Sequence, residues 1–283
     1  MPTRSPNKKA PQPTHQMQLL KKFKGPAVEY LFTDIDDTLT DQGQLHADAY
    51  QALWNLHDQG IAVIPVTGRP AGWCEMIARF WPVAGIVGEN GALYFRYHQK
   101  KMLRYFVMDE ATRTANRKKL DLLGREILKK VPRSAIASDQ FCRLMDLAID
   151  FCEDVPPLKE RDVEKIVSIF ENSGATAKVS SIHVNGWFGD YDKLSMCKTF
   201  VKRELKMNLD RHQGRFAFSG DSPNDEPMFA YFQNSFAVAN IKNFTHKLKH
   251  QPRFVAHSEG GKGFVEIAAA LLKTRAAADK VKG

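Results

Sequence analysis

The chain has 283 residues and a hydrophobic content of 43%, enough to fill the core of one large α/β domain or two modest ones, which excludes wholesale disorder. No run approaches about 18 uninterrupted apolar residues, and the opening MPTRSPNKKAPQPTHQ is polar and proline-rich where a secretory signal needs an apolar stretch. A cytoplasmic protein with no membrane partner is expected. The formal net charge is +9, but Arg4, Lys8, Lys9, Lys21, Lys22 and Lys24 supply six of those charges without a neighbouring acid, so the body is only mildly basic.

Residues 1–27 therefore read as a disordered basic tail. Val28 to Thr38, VEYLFTDIDDT, is a short apolar run that breaks into acids, followed by the helical pattern HADAYQALWNLHDQG ending at Gly60. IAVIPVTGRP (61–70) is a second strand, with Pro70 suited to the first turn of a helix. That helix carries Trp73, Met76, Ile77, Phe80 and Trp81 at helical spacing, a pattern of core packing. GIVGENGALYF (85–95) is read as a third strand, and the alternation resumes at RFAFSGD (215–221) and NSFAVAN (234–240). Alternating strands and helices predict a parallel sheet covered on both faces, with ligands beyond the carboxyl ends of its strands.

Between these halves lie a charged helix (about 109–131), the strand DLAIDF, the helix LKERDVEKIVSIFENSG and two β-like runs, ATAKVSS and IHVNGWF. The expected organisation is a discontinuous core, 28–95 and 188–275, an inserted α+β cap, 96–187, and a short tail, 276–283. The basic residues of the charged helix (Arg113, Arg117, Lys118, Lys119, Arg125, Lys129, Lys130) alternate with acids and lack an aromatic platform, so a solvated face is expected and no specific nucleic-acid partner. Cys74, Cys142, Cys152 and Cys197 form no CxxC pair, and neither a zinc site nor a disulfide framework is indicated.

Asp34 and Asp36 sit where the first strand runs out, two residues apart, and Asp221 and Asp225 end a later strand of the same sheet. Clustered buried acids are unfavourable unless a cation compensates them, and oxygen ligands without His or Cys favour Mg²⁺. Thr67 and Lys193 stand at the same edge. A metal, a lysine and a hydroxyl that hold phosphoryl oxygens lower the barrier to nucleophilic attack on phosphorus. Asp34 would attack, and Asp36 would protonate the leaving alcohol and then activate water.

Four motifs in order, DIDDT (34–38), Thr67, Lys193 and GDSPND (220–225), resemble those of the haloacid dehalogenase superfamily of phosphatases over about residues 28–270. The resemblance implies a Rossmann-like parallel core with a cap, and an Mg²⁺-dependent phosphoric monoester hydrolase acting on a small phosphorylated metabolite. By it, Asp34 is the nucleophile and Asp36 the acid/base, and the metal set is Asp34, Asp36 through its backbone carbonyl, Asp221, and Asp225 as a ligand or a support of the ligands. Thr67, Gly68, Lys193 and Asn224 would hold phosphate, although Asn224 could equally serve as a turn residue.

VTGRP, GENGA and YDK look like the branch with Cof-like, sucrose-phosphate and trehalose-phosphate phosphatases, which makes a sugar phosphate, trehalose 6-phosphate first, the expected substrate. A phosphosugar mutase and a non-catalytic phosphosugar-binding protein are the alternatives. Two positions depart from the pattern: Asp37 stands where many relatives carry glycine, and Leu194 where glycine is frequent. Arg69 is expected either at the substrate's phosphate or paired with a nearby acid, and Glu89 and Asn90 either to border the substrate pocket or to shape a turn around Gly91. In the cap strand, period-two alternation puts His183, Asn185 and Trp187 on one face, which either looks down on the leaving group or is a solvated face of the sheet.

Overall fold

The computed structural model describes residues 17–282. Its central sheet has the order β1 (Gln18–Leu19), β13 (Phe254–Val255), β12 (Ser235–Ala237), β11 (Phe216–Gly220), β2 (Tyr30–Thr33) and β3 (Ala62–Pro65), every pair parallel. Strands of such a sheet are apolar on both faces because helices cover both. Leu31 and Val63 point to one cluster, with α1 (Ala47–Asp58), α2 (Ala71–Phe80) and α7 (Gly260–Lys282). Phe32, Ile64, Phe216 and Phe218 point to the other, with α5 (Lys193–Glu204) and α6 (Glu226–Tyr231).

The run read as a third strand is two. β4 (Ile86–Gly88) lies beside β3 through one parallel bridge, Val66 to Val87, and then the chain reverses into β5 (Leu93–His98) and β6 (Lys101–Phe106), both antiparallel. Glu89, Asn90 and Gly91 make the reversal with φ of 44°, 57° and 101°. Gly91 is required there, since a Cβ would run into the backbone of Asp192. The hairpin packs Phe95, Met102 and Phe106 into the core cluster, so the cap begins after Phe106 and not at residue 96.

The cap is an antiparallel sheet, β7 (Ala135–Ile136), β8 (Leu147–Asp150), β10 (His183–Trp187) and β9 (Thr176–Val179), under α3 (Glu110–Lys130) and α4 (Glu160–Asn172). Leu147, Ile149 and Val184 alternate inward to a separate apolar cluster with Ile166 and Phe170 of α4. Most of the basic side chains of α3 are exposed, but Arg117 donates to the carbonyls of Arg143 and Asp146 and is part of the cap's frame.

Three further expectations are corrected. Of the basic tail, residues 1–16 lie outside the described residues, while Gln18–Leu19 forms the edge strand and Leu20 and Phe23 are buried, the Phe23 ring edge-on to Phe236 at 4.9 Å. Two bulky apolar side chains outweigh the neighbouring lysines. Residues 276–282 continue α7 and form no separate tail. Finally, Trp73, Met76 and Phe80 are exposed, by 40%, 43% and 68%. The inner stripe of α2 is Ala71, Cys74, Ile77 and Ala78, and its small members let the helix approach β4 closely, where Gly88 faces Cys74.

Candidate active site

Parallel pairing brings the carboxyl ends of β2, β3 and β11 to one edge, with Thr33 opposite Ser219 and Pro65. The residues that follow these strands are Asp34, the Thr67 to Arg69 turn, and Asp221. Lys193 arrives from the far side of the cap at the first position of α5, fixed by a capping box in which Asp192 and Ser195 satisfy each other's backbone.

Lys193 Nζ donates to Asp34 Oδ1 at 2.6 Å and to Asp225 Oδ1 at 2.9 Å. Asp225 also accepts from the Asp221 amide at 3.2 Å, and Thr38 donates to Asp221 Oδ1 at 3.2 Å. Asp34, Asp221 and Asp225 are all buried and present carboxylate oxygens within 4.8 Å of one another. Three acids against one ammonium leave an excess of negative charge in a dry place. Burial pushes Asp34 up to about 8 against the pull of Lys193, and burial followed by repulsion from Asp225 and Asp34 raises Asp221 well above the carboxylate range. Burial would depress the Lys193 ammonium, but Asp225 and Asp34 overcome it and raise its pKa. The donor set is all oxygen and over-negative, and thus fits a hard divalent cation. Asp36 contributes no side chain to this cluster.

Asp36 instead pairs with Arg69, whose NH2 lies 2.8 Å and Nε 2.9 Å away. The same guanidinium reaches Glu153 of the cap at 3.1 Å, and His183 Nε2 lies 2.9 Å from the other Glu153 oxygen. The contact with His183, opposed by burial and reinforced by Arg69, holds Glu153 down to about 2. Glu153 is itself held by a turn in which Asp150 accepts from the amides of Cys152, Glu153 and Asp154. Arg143 forms a second cross-link, bonding Asp139, Asp146 and the Gly68 carbonyl, while Asn185 donates to Asp146 at 2.9 Å.

Asp34, Asp36, Gly68, Arg69, Asn90, His183, Asn185, Asp221 and Asn224 thus line one cavity of ≈ 30 Å³ under the cap. Four expected site residues stand apart from its wall, among them Asp225, which meets Asp34 through Lys193. Thr67 is fully buried and its hydroxyl accepts from the Arg69 amide, which shapes the turn. Lys193 works from below through Asp34. Trp187, placed by alternation on the polar face, stacks on Tyr191 at 5.5 Å in the core cluster, where the strand ends and the chain returns to the core.

Glu89 is no pocket residue either: its buried carboxylate accepts from the amides of Ala71, Leu144, Met145 and Asp146, tying the start of α2 to the chain entering β8. Asp37 has φ 56°, a left-handed position that explains glycine in relatives and that aspartate tolerates better than most. Glu153, Arg143, Asp139 and Asp146 were missed. Glu153 follows a strand end in an acidic turn, a signal available in the sequence; Arg143 stands four residues after Asp139 and three before Asp146, which reads as an ordinary local ion pair, and its reach to the Gly68 carbonyl is set only by the fold.

Residues 31–122 match the haloacid dehalogenase-like hydrolase family. A phosphoglycolate phosphatase of Pyrobaculum neutrophilum is 26% identical over 257 residues, covering 88% of this chain and 97% of that protein. Among solved structures, a Thermoplasma acidophilum protein superposes with a TM-score of 0.67 at 18% identity, over 87% of this chain and 98% of that one. The sucrose-phosphatase of Synechocystis, solved with sucrose and phosphate, gives 0.59 at 15%, over 87% and 98%. In fold and in the order of its motifs the chain is similar to capped haloacid dehalogenase-like hydrolases. No helix among the described residues is long and apolar enough to cross a membrane.

Proposed function

We propose that the chain is an Mg²⁺-dependent phosphatase that hydrolyses a small phosphorylated metabolite through an aspartyl-phosphate on Asp34. The observation that carries this reading is the buried triad Asp34, Asp221 and Asp225 bridged by Lys193 at the strand ends. Mg²⁺ held by Asp34, Asp221 and Asp225 would neutralise the triad and the phosphoryl oxygens.

In this reading Lys193 orients the Asp34 carboxylate and its charge favours the ionised, nucleophilic form. Gly68, Asn90 and Asn224 border the space where phosphate sits, and the Asn90 amide nitrogen is buried without a partner, a donor ready for a phosphoryl oxygen. Arg69 anchors the Asp36 carboxyl, and proton exchange between Asp36 and the leaving alcohol or water requires that pair to open; Glu153 offers the guanidinium its second partner.

Sugar phosphates, with trehalose 6-phosphate first, and phosphoglycolate head the substrate panel. The cytoplasm, poor in oxidant, suits the four free cysteines. The test is release of inorganic phosphate by purified protein with Mg²⁺ across that panel. Free phosphate separates hydrolysis from a mutase, and silence on every monoester would overturn the reading.

A further inference from the structure

The cavity over Asp34 and Asp36, at ≈ 30 Å³, holds about two water molecules and no alcohol half of a phosphate ester. Beside it, between cap and core, opens a cleft of ≈ 810 Å³, and Ser180, Ser181, Asp221 and Ser222 line both spaces. The walls of the cleft are apolar: Phe151, Leu158, Val163 and Val167 from the cap, Pro223 and Phe244 from the core. On α4, Ile166, Ile169 and Phe170 are buried in the cap cluster, and Val163 and Val167, one turn apart, pack at its margin and stay half-buried where they line the cleft. Charged groups at the cleft are mostly acidic, with Asp37, Glu160, Glu164 and Asp221 against Lys247, which already faces Glu160 at 3.7 Å.

We infer that this cleft receives the alcohol half of the substrate and that this half is uncharged and apolar, an alkyl chain or aromatic ring on a phosphate monoester. The inference rests on the phosphatase reading and narrows it beyond sugar phosphates. A phosphate seated at Asp34 has this cleft as the large space adjoining it across the shared serines. Most of the exposed wall is apolar, so a polyol would lose water against valine, leucine and phenylalanine and gain partners only at Ser168, Asn240, Asn243 and the shared serines, while a second anionic group would meet the acids of the lining. An apolar body gains from the same walls.

The test is kcat/KM for n-alkyl phosphates from ethyl to octyl, whose leaving groups are equally basic, so that chain length reports binding. A rise on the order of two- to fourfold per methylene is expected. Val167→Asp and Phe244→Ala, each verified by its melting curve, should flatten that rise and leave ethyl phosphate turnover unchanged. As a reading without turnover, Asp34→Asn should bind octyl phosphate more tightly than ethyl phosphate by calorimetry. A flat series, or sugar phosphates preferred and insensitive to both substitutions, would overturn the inference while leaving the phosphatase reading intact. Equal losses on ethyl and octyl phosphate would also overturn it and assign the face to cap closure. Absence of hydrolysis on every ester would remove the phosphatase reading itself.

Discussion

Lys193 sits between two carboxylates of the buried triad, and the chemistry proposed for the site turns on one of them. Asp34→Asn keeps the shape of the side chain and removes the attacking oxygen, so phosphate release should fall by about four orders of magnitude or more while the melting curve stays near that of the parent. Glu153 offers a pH test. Its folded pKa is lowered from 4.5 to about 2, so its contribution to stability is complete above 4.5 and is lost as pH falls toward 2. Glu153→Gln should cost about 1–2 kcal/mol at pH 7, with partial exposure taken into account, and the gap to wild type should close between pH 4.5 and 2 in thermal melts. A gap of constant size across that window would mean that charge at this position does not matter.

At the scale of elements, two joints matter more than their length suggests. Glu89 accepts only from N–H donors, four amides on two segments, and a glutamine there must turn an amide group toward at least one of them. Glu89→Gln should therefore lower unfolding free energy by about 2–4 kcal/mol in urea melts, despite its distance from any exposed surface. β1 is only two residues long, yet the segment after it places Phe23 against Phe236 and Phe254. Phe23→Ala should cost about 3 kcal/mol, measured the same way, and leave kcat unaltered at temperatures where the protein is folded.

For the whole molecule, a cation that fits the triad must stabilise the fold as well as serve catalysis. Mg²⁺ at about a hundredfold its Kd should raise stability by about 2.7 kcal/mol, and chelation should abolish both the shift and phosphate release. Asp221→Ala should remove the shift. The parallel core and the position of Asp34, Asp221 and Lys193 were legible because strand ends, motif spacing and buried charge all point the same way. His183 and Asn185 line the cavity, whereas Trp187, the last residue of the strand and paired with Thr176, packs on Tyr191 in the core cluster, which period two alone does not reveal. Glu89 was legible as part of a turn around Gly91, but its amide partners at Leu144 to Asp146 and the Gly68 carbonyl that Arg143 reaches are brought together only by the fold. Trp73 and Phe80 misled because helical spacing reveals a stripe but not which side of it faces inward.

The insertion of the cap imposes an order on synthesis. Thr33 of β2 lies beside β3 at once, but its other neighbour, Ser219, is 186 residues away. At ribosomal rates of 5–20 residues per second, the Leu31–Phe32 edge waits roughly 10–40 s for its partner. All four cap strands, Ala135 to Trp187, are made within that interval, so the cap can close while the catalytic half of the protein is still an unfinished sheet. During those seconds a nascent chain exposes an apolar, unpaired strand to its neighbours on the polysome, and this is the stage at which a chaperone would matter most to the yield of active protein.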